Sequence, residues 1–524
     1  MSDSPTITSM NDRPLIRFGV TFLANGVGSA VALVSGIIVA RALQVKAYGD
    51  LSFLTSSFGN LLAFLDLGTS MAFFTFLSQK RRGRHFMLLY FGWLILQAGL
   101  VGPAIAWFLP SKIINHVWLG YERGLLLLAL GATFLMGQGW TTVVHLGEAR
   151  RKTVWIQGAE LAQTLFHFLL LCLAVLWKVF SVRFILWIWI LEYSVMTLVL
   201  APPLIKQNLA EGPEDEKEPV RNVLNRYWEF CRPLAIATNF SYLCLFLDRW
   251  LLQRYGGAAQ QGFYAVGIQS TIISGLATAS ILKIFWKEIA EAHEQKNRDR
   301  MERLYTMVSR LLYFISAWCA CLIIPYCSDL LRLTVGASYS GGWLCFSLLL
   351  LYPVHNCLGR IEGSLLYAIG DTKSFMKTSI LLETLGIPVS YFLLAPATAR
   401  IPGLGLGANG LSYKMVLSQV VSVNFLGYII ARINGWRFRF GYQIGVLGLL
   451  LTLGLISKWI STWLMGLWGR TGTPIPMILM GGCFYGLVSL PLVYCVPALA
   501  GLSDADIGRI LKDSLQYARA WFPI

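Results

Sequence analysis

"GEARRKTVWIQGAE" occupies residues 147–160 and "GDTKSFMKTSILLE" residues 370–383. Each runs from a glycine through an acid and a short basic cluster into an apolar rise. Each closes on a glutamate, Glu160 or Glu383, thirteen residues after its glycine. The copies lie 223 positions apart, from Gly147 to Gly370. A polar, basic phrase that opens an apolar run reads as a turn at a membrane surface, and its repetition predicts an internally duplicated membrane protein.

Composition supports this. Of the 524 residues 56% are hydrophobic and only 13% charged, with a mean hydropathy of +0.60, whereas soluble domains carry about 25% charged residues. Apolar runs of roughly 20 to 28 residues recur along the chain, long enough for a helix rising 1.5 Å per residue to cross about 30 Å of hydrocarbon. They predict about fourteen spans, near residues 17–43, 48–78, 86–110, 123–146, 153–177, 184–205 and 230–253, then 262–290, 305–327, 342–369, 375–396, 406–431, 442–464 and 475–499. The fold class expected is an all-α polytopic membrane protein.

Basic residues resist translocation. The even-numbered connections hold Lys80, Arg81, Arg82 and Arg84, then Arg150, Arg151 and Lys152, and farther on Lys373, Lys377, Arg432, Arg437 and Arg439. The odd connections hold about half as many. Both termini are therefore expected in the cytoplasm and the chain in the cytoplasmic (inner) membrane. The net charge of +16 is then largely a topology signal and implies no nucleic acid. No removable signal peptide is read at the N-terminus. The ten cysteines are scattered without metal-finger spacing and read as free buried thiols. The tail from Ser503 reads as an amphipathic helix at the membrane interface or in solvent.

The stretch 206–222, "KQNLAEGPEDEKEPVRN", has linker composition and divides the chain into a six-helix bundle at 1–205, a cytoplasmic linker at 206–229, a second six-helix bundle at 230–432, and two additional helices with a tail at 433–524. The repeated phrase recurs after six spans. A second echo pairs "VARALQVKAYGDLSFL" with "LDRWLLQRYGGAAQQGFYAVG", the second copy reading as a few residues longer in the turn. An even offset gives parallel repeats related by a pseudo-twofold axis along the membrane normal, a transporter plan with substrate bound between the bundles.

"GIIVARALQVKAYGDLSFLTSSFGNLLAFLDLGTSMAFFTFLS" and "SLLYAIGDTKSFMKTSILLETLGIPVSYFLLAPATARIPGLGLGANGLSYKMVLSQ" resemble polysaccharide exporters of the Wzx type, in the multidrug/oligosaccharidyl-lipid/polysaccharide (MOP) flippase superfamily. The resemblance covers most of residues 15–432 and agrees with fourteen spans. It implies a flippase for undecaprenyl-pyrophosphate-linked oligosaccharide, moved from the cytoplasmic to the outer leaflet for O-antigen, capsule or exopolysaccharide synthesis. It also implies a proton or sodium ion as coupling ion, and polymerase and co-polymerase proteins as partners.

An ionisable group in the bilayer core costs about 2.5–3.5 kcal/mol on insertion scales and faces water or a partner. An anionic pyrophosphate would be received by cations, and Arg249, Lys283, Arg310 and Arg360 are the candidates. Glu160, Glu383, Asp66 and Glu362 are the candidates for ion coupling, since a carboxylate in a low-dielectric cavity can hold a proton or sodium. Glu192, Asp248, His145, His167 and His355 complete the intramembrane polar set. Each has a structural alternative: Arg249 and Lys283 as interfacial anchors, Arg310 as a residue of the cytoplasmic end, and the glutamates as partners of nearby bases.

No P-loop is present and "GLGLG" at 403–407 follows no strand, so no nucleotide or other cofactor is expected. A cation-coupled exporter of organic cations with the same fold is the rival reading, and its cavity would be dominated by carboxylates and aromatics. An enzyme is not expected, because every odd connection is about twenty residues or fewer and leaves no outward domain for catalysis.

Overall fold

The computed structural model describes residues 14–80, 82–210, 219–438, 440–467 and 474–502. The side chains of 14–25, 207–210, 233, 234, 237, 272–281, 283, 284 and 372 fall outside that description. The expected tail helix after Ser503 and the middle of the linker, residues 211–218, also fall outside it.

No strand occurs among the described residues. In chain order the helices are α1 (Pro14–Asp66), α2 (Thr69–Gln79), α3 (Arg84–Pro103), α4 (Ser111–Val117), α5 (Arg123–Phe134) and α6 (Trp140–Ala149). Next come α7 (Thr153–Leu176), α8 (Val182–Ala210), α9 (Val220–Gln269), α10 (Thr271–Glu294), α11 (Arg298–Ile323) and α12 (Cys327–Thr334). The last are α13 (Trp343–Ala368), α14 (Thr372–Leu394), α15 (Gly407–Asn434), α16 (Gly441–Leu467) and α17 (Pro474–Cys495). Every span expected from hydropathy falls on helix, and among the described residues ten helical segments are long and apolar enough to cross a membrane. Side chains such as Ile95, Leu198 and Leu487 stand more than 70% exposed on these helices, a pattern water would penalise and lipid does not. The chain is a multi-pass membrane protein.

It divides into two compact units, one of residues up to Ala265 with Ser390–Gly407, the other of Val266–Val389 with the residues from Ala408 onward. In the first, Phe73 stacks on Tyr90 at 3.9 Å and on Phe86 at 5.7 Å, and Leu146 and Ile156 close this aromatic core. In the second, Leu312, Tyr313, Val354, Ile361, Leu365 and Leu450 lock α11, α13 and α16 together.

The duplication is visible in the backbone. α1 bends at Gln44 (φ 60°, ψ 173°) and α9 at Gly257 (φ 76°, ψ −179°). That φ/ψ region is essentially glycine's alone, so Gln44 is strained where Gly257 is not. Arg41 and Arg254 each precede the bend by three residues, and Gly49 and Gly262 each follow it by five. The second copy is thus no longer than the first in this turn, contrary to the sequence reading.

The two turns also meet. A Cβ on Gly49 would stand 2.8 Å from the Ala258 carbonyl carbon and 2.9 Å from the Gly262 nitrogen, and closer still to the Ala258 oxygen. A Cβ on Gly262 would stand 3.1 Å from the Val45 carbonyl carbon, and closer still to its oxygen. Val45 and Ala258 occupy equivalent places one residue past the bends, so the contact is reciprocal, as a local pseudo-twofold requires. Only glycine lets the backbones approach this far.

The opening phrase resolves into two equivalent helix ends. After α13, Gly370 takes φ 80°, its N–H reaches the Tyr367 carbonyl at 3.2 Å and that of Asp371 reaches Leu366 at 2.9 Å. After α6, Arg151 takes φ 58°, its N–H reaches Glu148 at 2.9 Å and that of Lys152 reaches Gly147 at 3.0 Å. Both are Schellman closures, and they equate Arg151, not Gly147, with Gly370. Gly147 serves packing instead. A Cβ there would collide with the Ile156 side chain, so this glycine lets α7 close against α6.

Candidate functional site

That register moves the closing glutamates. Glu160 stands seven residues after Thr153, the first residue of α7, and Glu383 eleven after Thr372, the first of α14. Four residues are about 6 Å of helix, so Glu383 sits a turn deeper than Glu160 and the two are not at equivalent depth. Glu160 is half-buried and accepts a hydrogen bond from Gln157 Nε2 at 3.0 Å. Glu383 is half-buried on α14.

Asp66 closes α1, where Leu67 and Gly68 turn left-handed (φ 55° and 82°) before α2 resumes the span. Its carboxylate accepts from Thr69 Oγ1 at 2.8 Å, from the Ser70 amide at 3.1 Å and from Ser70 Oγ at 2.8 Å. A helix broken inside a membrane must have its free N–H groups satisfied, and Asp66 does this for α2.

On the first unit's side Asp248 is buried and accepts from Ser390 Oγ at 2.5 Å. Its neighbour Arg249 turns away and lays its guanidinium 4.4 Å from the centre of the Tyr264 ring. Lys283 lies on α10, and its side chain is outside the described residues.

In the second unit α11, α13, α15 and α16 enclose a cavity of about 880 Å³. Tyr305, Arg310, Glu362, Trp436, Tyr442 and Gln443 are among its walls. Glu362 is 3% exposed and accepts a long hydrogen bond, 3.4 Å, from Tyr305 OH. Arg310 stacks its guanidinium 4.8 Å over the Tyr442 ring, and Tyr442 OH donates to the Leu499 carbonyl at 2.5 Å. The structure therefore brings Arg310 and Glu362 to one cavity. Arg360 belongs to the same helix as Glu362 but stands exposed, outside the cavity walls. His355 is buried edge-on against the Tyr313 ring at 5.6 Å.

Sequence reading passed over two groups. Lys414, 9% exposed, lies seven residues into α15, and its Cε would stand 3.1 Å from a Cβ on Gly386. A lysine inside an apolar run was the available signal. The other is a pair. His167 Nδ1 on α7 lies 3.0 and 3.1 Å from the two carboxylate oxygens of Glu192 on α8. Gln163 Nε2 donates to the same carboxylate at 3.3 Å. Both residues were visible as intramembrane polar groups, but contact across 25 positions and two helices leaves no trace in spacing.

No family model matches the chain, and no curated protein matches it in sequence. Solved structures do. One is "Lipid II flippase MurJ, inward closed conformation", with a TM-score of 0.67 and 16% identity over 90% of this chain and 98% of that one. Another is "Inward-facing conformation of a multidrug resistance MATE family transporter of the MOP superfamily", with a TM-score of 0.53 and 12% identity over 80% of this chain and 99% of that one. The duplicated helical architecture derived above is the fold of the MOP-superfamily transporters.

Proposed function

We propose that the chain flips a polyprenyl-pyrophosphate-linked oligosaccharide from the cytoplasmic to the outer leaflet of the inner membrane, for surface polysaccharide synthesis. The observation that carries this reading is the extent of the match to the lipid II flippase. It takes in 90% of the chain against 80% for the multidrug transporter, while each relative is covered almost whole. The match to the flippase is thus longer than that to the drug exporter by about a tenth of this chain, roughly the length of α16 and α17 together, and α16 packs into the core of the second unit.

Arg249, Lys283, Arg310 and Arg360 are the proposed receivers of the pyrophosphate, with Lys414 added as a buried cation. An arginine offers the fork of donors that a phosphate accepts bidentately. Glu160, Glu383 and Glu362 are the carboxylates proposed to couple transport to a cation. For Asp66 that role competes with its hydrogen bonds to α2. An inside-negative potential adds about 2.3 kcal/mol per charge per 100 mV in favour of outward movement of an anionic head. Alternating rearrangement of the two bundles is the proposed means of access, and polymerase and co-polymerase proteins are the proposed partners downstream.

The test is reconstitution of the full chain into vesicles with a fluorescent undecaprenyl-pyrophosphate oligosaccharide, with flipping read by outside quenching. Wild type is expected to flip it, and Arg249→Ala with Arg360→Ala to slow it at least tenfold at unchanged protein content. Undiminished flipping by the double variant removes these cations from the path. Uptake of organic cations without any flipping transfers the chain to the drug-exporter reading.

A further inference from the structure

The His167–Glu192 pair is embedded in a polar ladder that the cation cavity does not explain. On α7, Gln157, Glu160, Gln163 or Thr164, and His167 recur at helical spacing on one face, and they are hydrogen-bonded in two groups, one at Glu160 and one at Glu192. Gln157 bonds Glu160, Thr164 Oγ1 donates to the Glu160 carbonyl at 2.8 Å, and Gln163 and His167 both bond Glu192. Counting from Thr153, Glu160 lies about 10 Å and His167 about 21 Å along the helix. The ladder therefore starts near the basic-loop end and stops near mid-membrane.

We propose that His167 and Glu192 form a proton-binding site at the inner end of this ladder, with Glu160 at its entrance, and that the proton held there is the coupling ion. Glu192 is 1% and His167 15% exposed at the side chain, so neither is a solvated surface group. With the His167 Nδ1–H donated to Glu192, the imidazole's open lone pair is on Nε2, which has no hydrogen-bond partner among the described residues. A proton arriving there forms a new N–H bond and leaves an imidazolium against a carboxylate. The pair passes from a net charge of −1 to zero, and no other bond breaks.

Charged groups of the packed elements are few. α6 offers His145 and Glu148, α8 adds only Tyr193 nearby, α5 has Arg123 at its far end, and α1 carries no ionisable residue from 18 to 40. No lysine or arginine therefore takes the place of the proton. Sodium fits less well, because both Glu192 oxygens already accept hydrogen bonds and the imidazole beside them offers nitrogen in place of the oxygen ligands a hard cation takes.

The inference rests on the transporter reading, and the experiment separates the two. The full chain, labelled with ¹⁵N-histidine, is placed in phosphatidylethanolamine/phosphatidylglycerol nanodiscs, and His167→Gln identifies its signal among the six histidines. The wild-type Nε2 is expected to gain a proton on acidification of the buffer, and Glu192→Gln to weaken proton binding at least tenfold. A His167 that keeps one protonation state on acidification overturns the site, and should His167→Gln not fold, His167→Asn assigns the signal instead. In vesicles carrying the fluorescent oligosaccharide lipid, the ratio of flipping with and without a pH gradient is expected to fall to one in His167→Gln. An unchanged ratio, or acceleration by a sodium gradient instead, overturns the coupling role. A titrating His167 in a protein that flips nothing leaves the proton site standing and refutes only the substrate.

Discussion

The reciprocal glycine contact makes a demanding prediction. Gly49→Val or Gly262→Val places a Cβ inside 3.0 Å of backbone atoms of the opposite turn, and backbone, unlike a side-chain tip, cannot rotate out of the way. The turns at Gln44 and Gly257 must therefore part. Overpacking of this kind costs about 1–3 kcal/mol, which shifts the equilibrium of the clasp by roughly 5- to 150-fold. The assay is the rate at which a membrane-impermeant maleimide labels a cysteine placed at Val45, in a background without the ten native cysteines. Each valine variant is expected to speed labelling at least fivefold. The double variant is expected to fall short of the product of the singles, because once the turns have parted the second methyl groups meet little. Labelling rates within twofold of the parent in both single variants would refute the close approach.

Three smaller predictions test single positions by the midpoint of thermal unfolding in detergent. Arg82 is 3% exposed, donates to the Phe76 carbonyl at 3.2 Å and lies 5.5 Å from the rings of Phe76 and Phe86. Arg82→Ala should cost about 2 kcal/mol, whereas Arg84→Ala, at an exposed position of the same basic cluster, should cost less than about 0.5 kcal/mol. Equal effects would show that both are only topology charges. Asp66→Asn should keep most of the α2 cap and Asp66→Ala lose about 1 kcal/mol; a severe loss from asparagine would favour an ionic role. Arg151→Gly should stabilise by about 1 kcal/mol by relieving a left-handed residue, and Gly370→Ala should cost a similar amount. Opposite signs would unseat the shared Schellman register.

The spans were legible because they are written in hydropathy, which the bilayer reads residue by residue, and the duplication because its turns repeat in the letters. Register was not. Aligning glycine with glycine set Gly147 against Gly370, but the first copy closes its helix with Arg151 in the left-handed region, which nothing in the letters announces, and uses its glycine to admit Ile156. The same slip made the turn at Gly257 look longer than its twin at Gln44. Among site candidates, depth along a span could be estimated from the sequence, whereas direction around a helix depends on neighbours far along the chain. Arg360 and Glu362 are two residues apart and diverge, one exposed and one buried, while His167 and Glu192 are on different helices and meet. For the glutamates that close the repeated phrase the consequence is physical. A one-turn offset puts Glu160 at the foot of the ladder that ends at His167, and puts Glu383 beyond the matching position, which Ser379 occupies seven residues after Thr372. The duplicated scaffold thus carries unlike chemistry in its two copies, with the acid–imidazole ladder confined to the first.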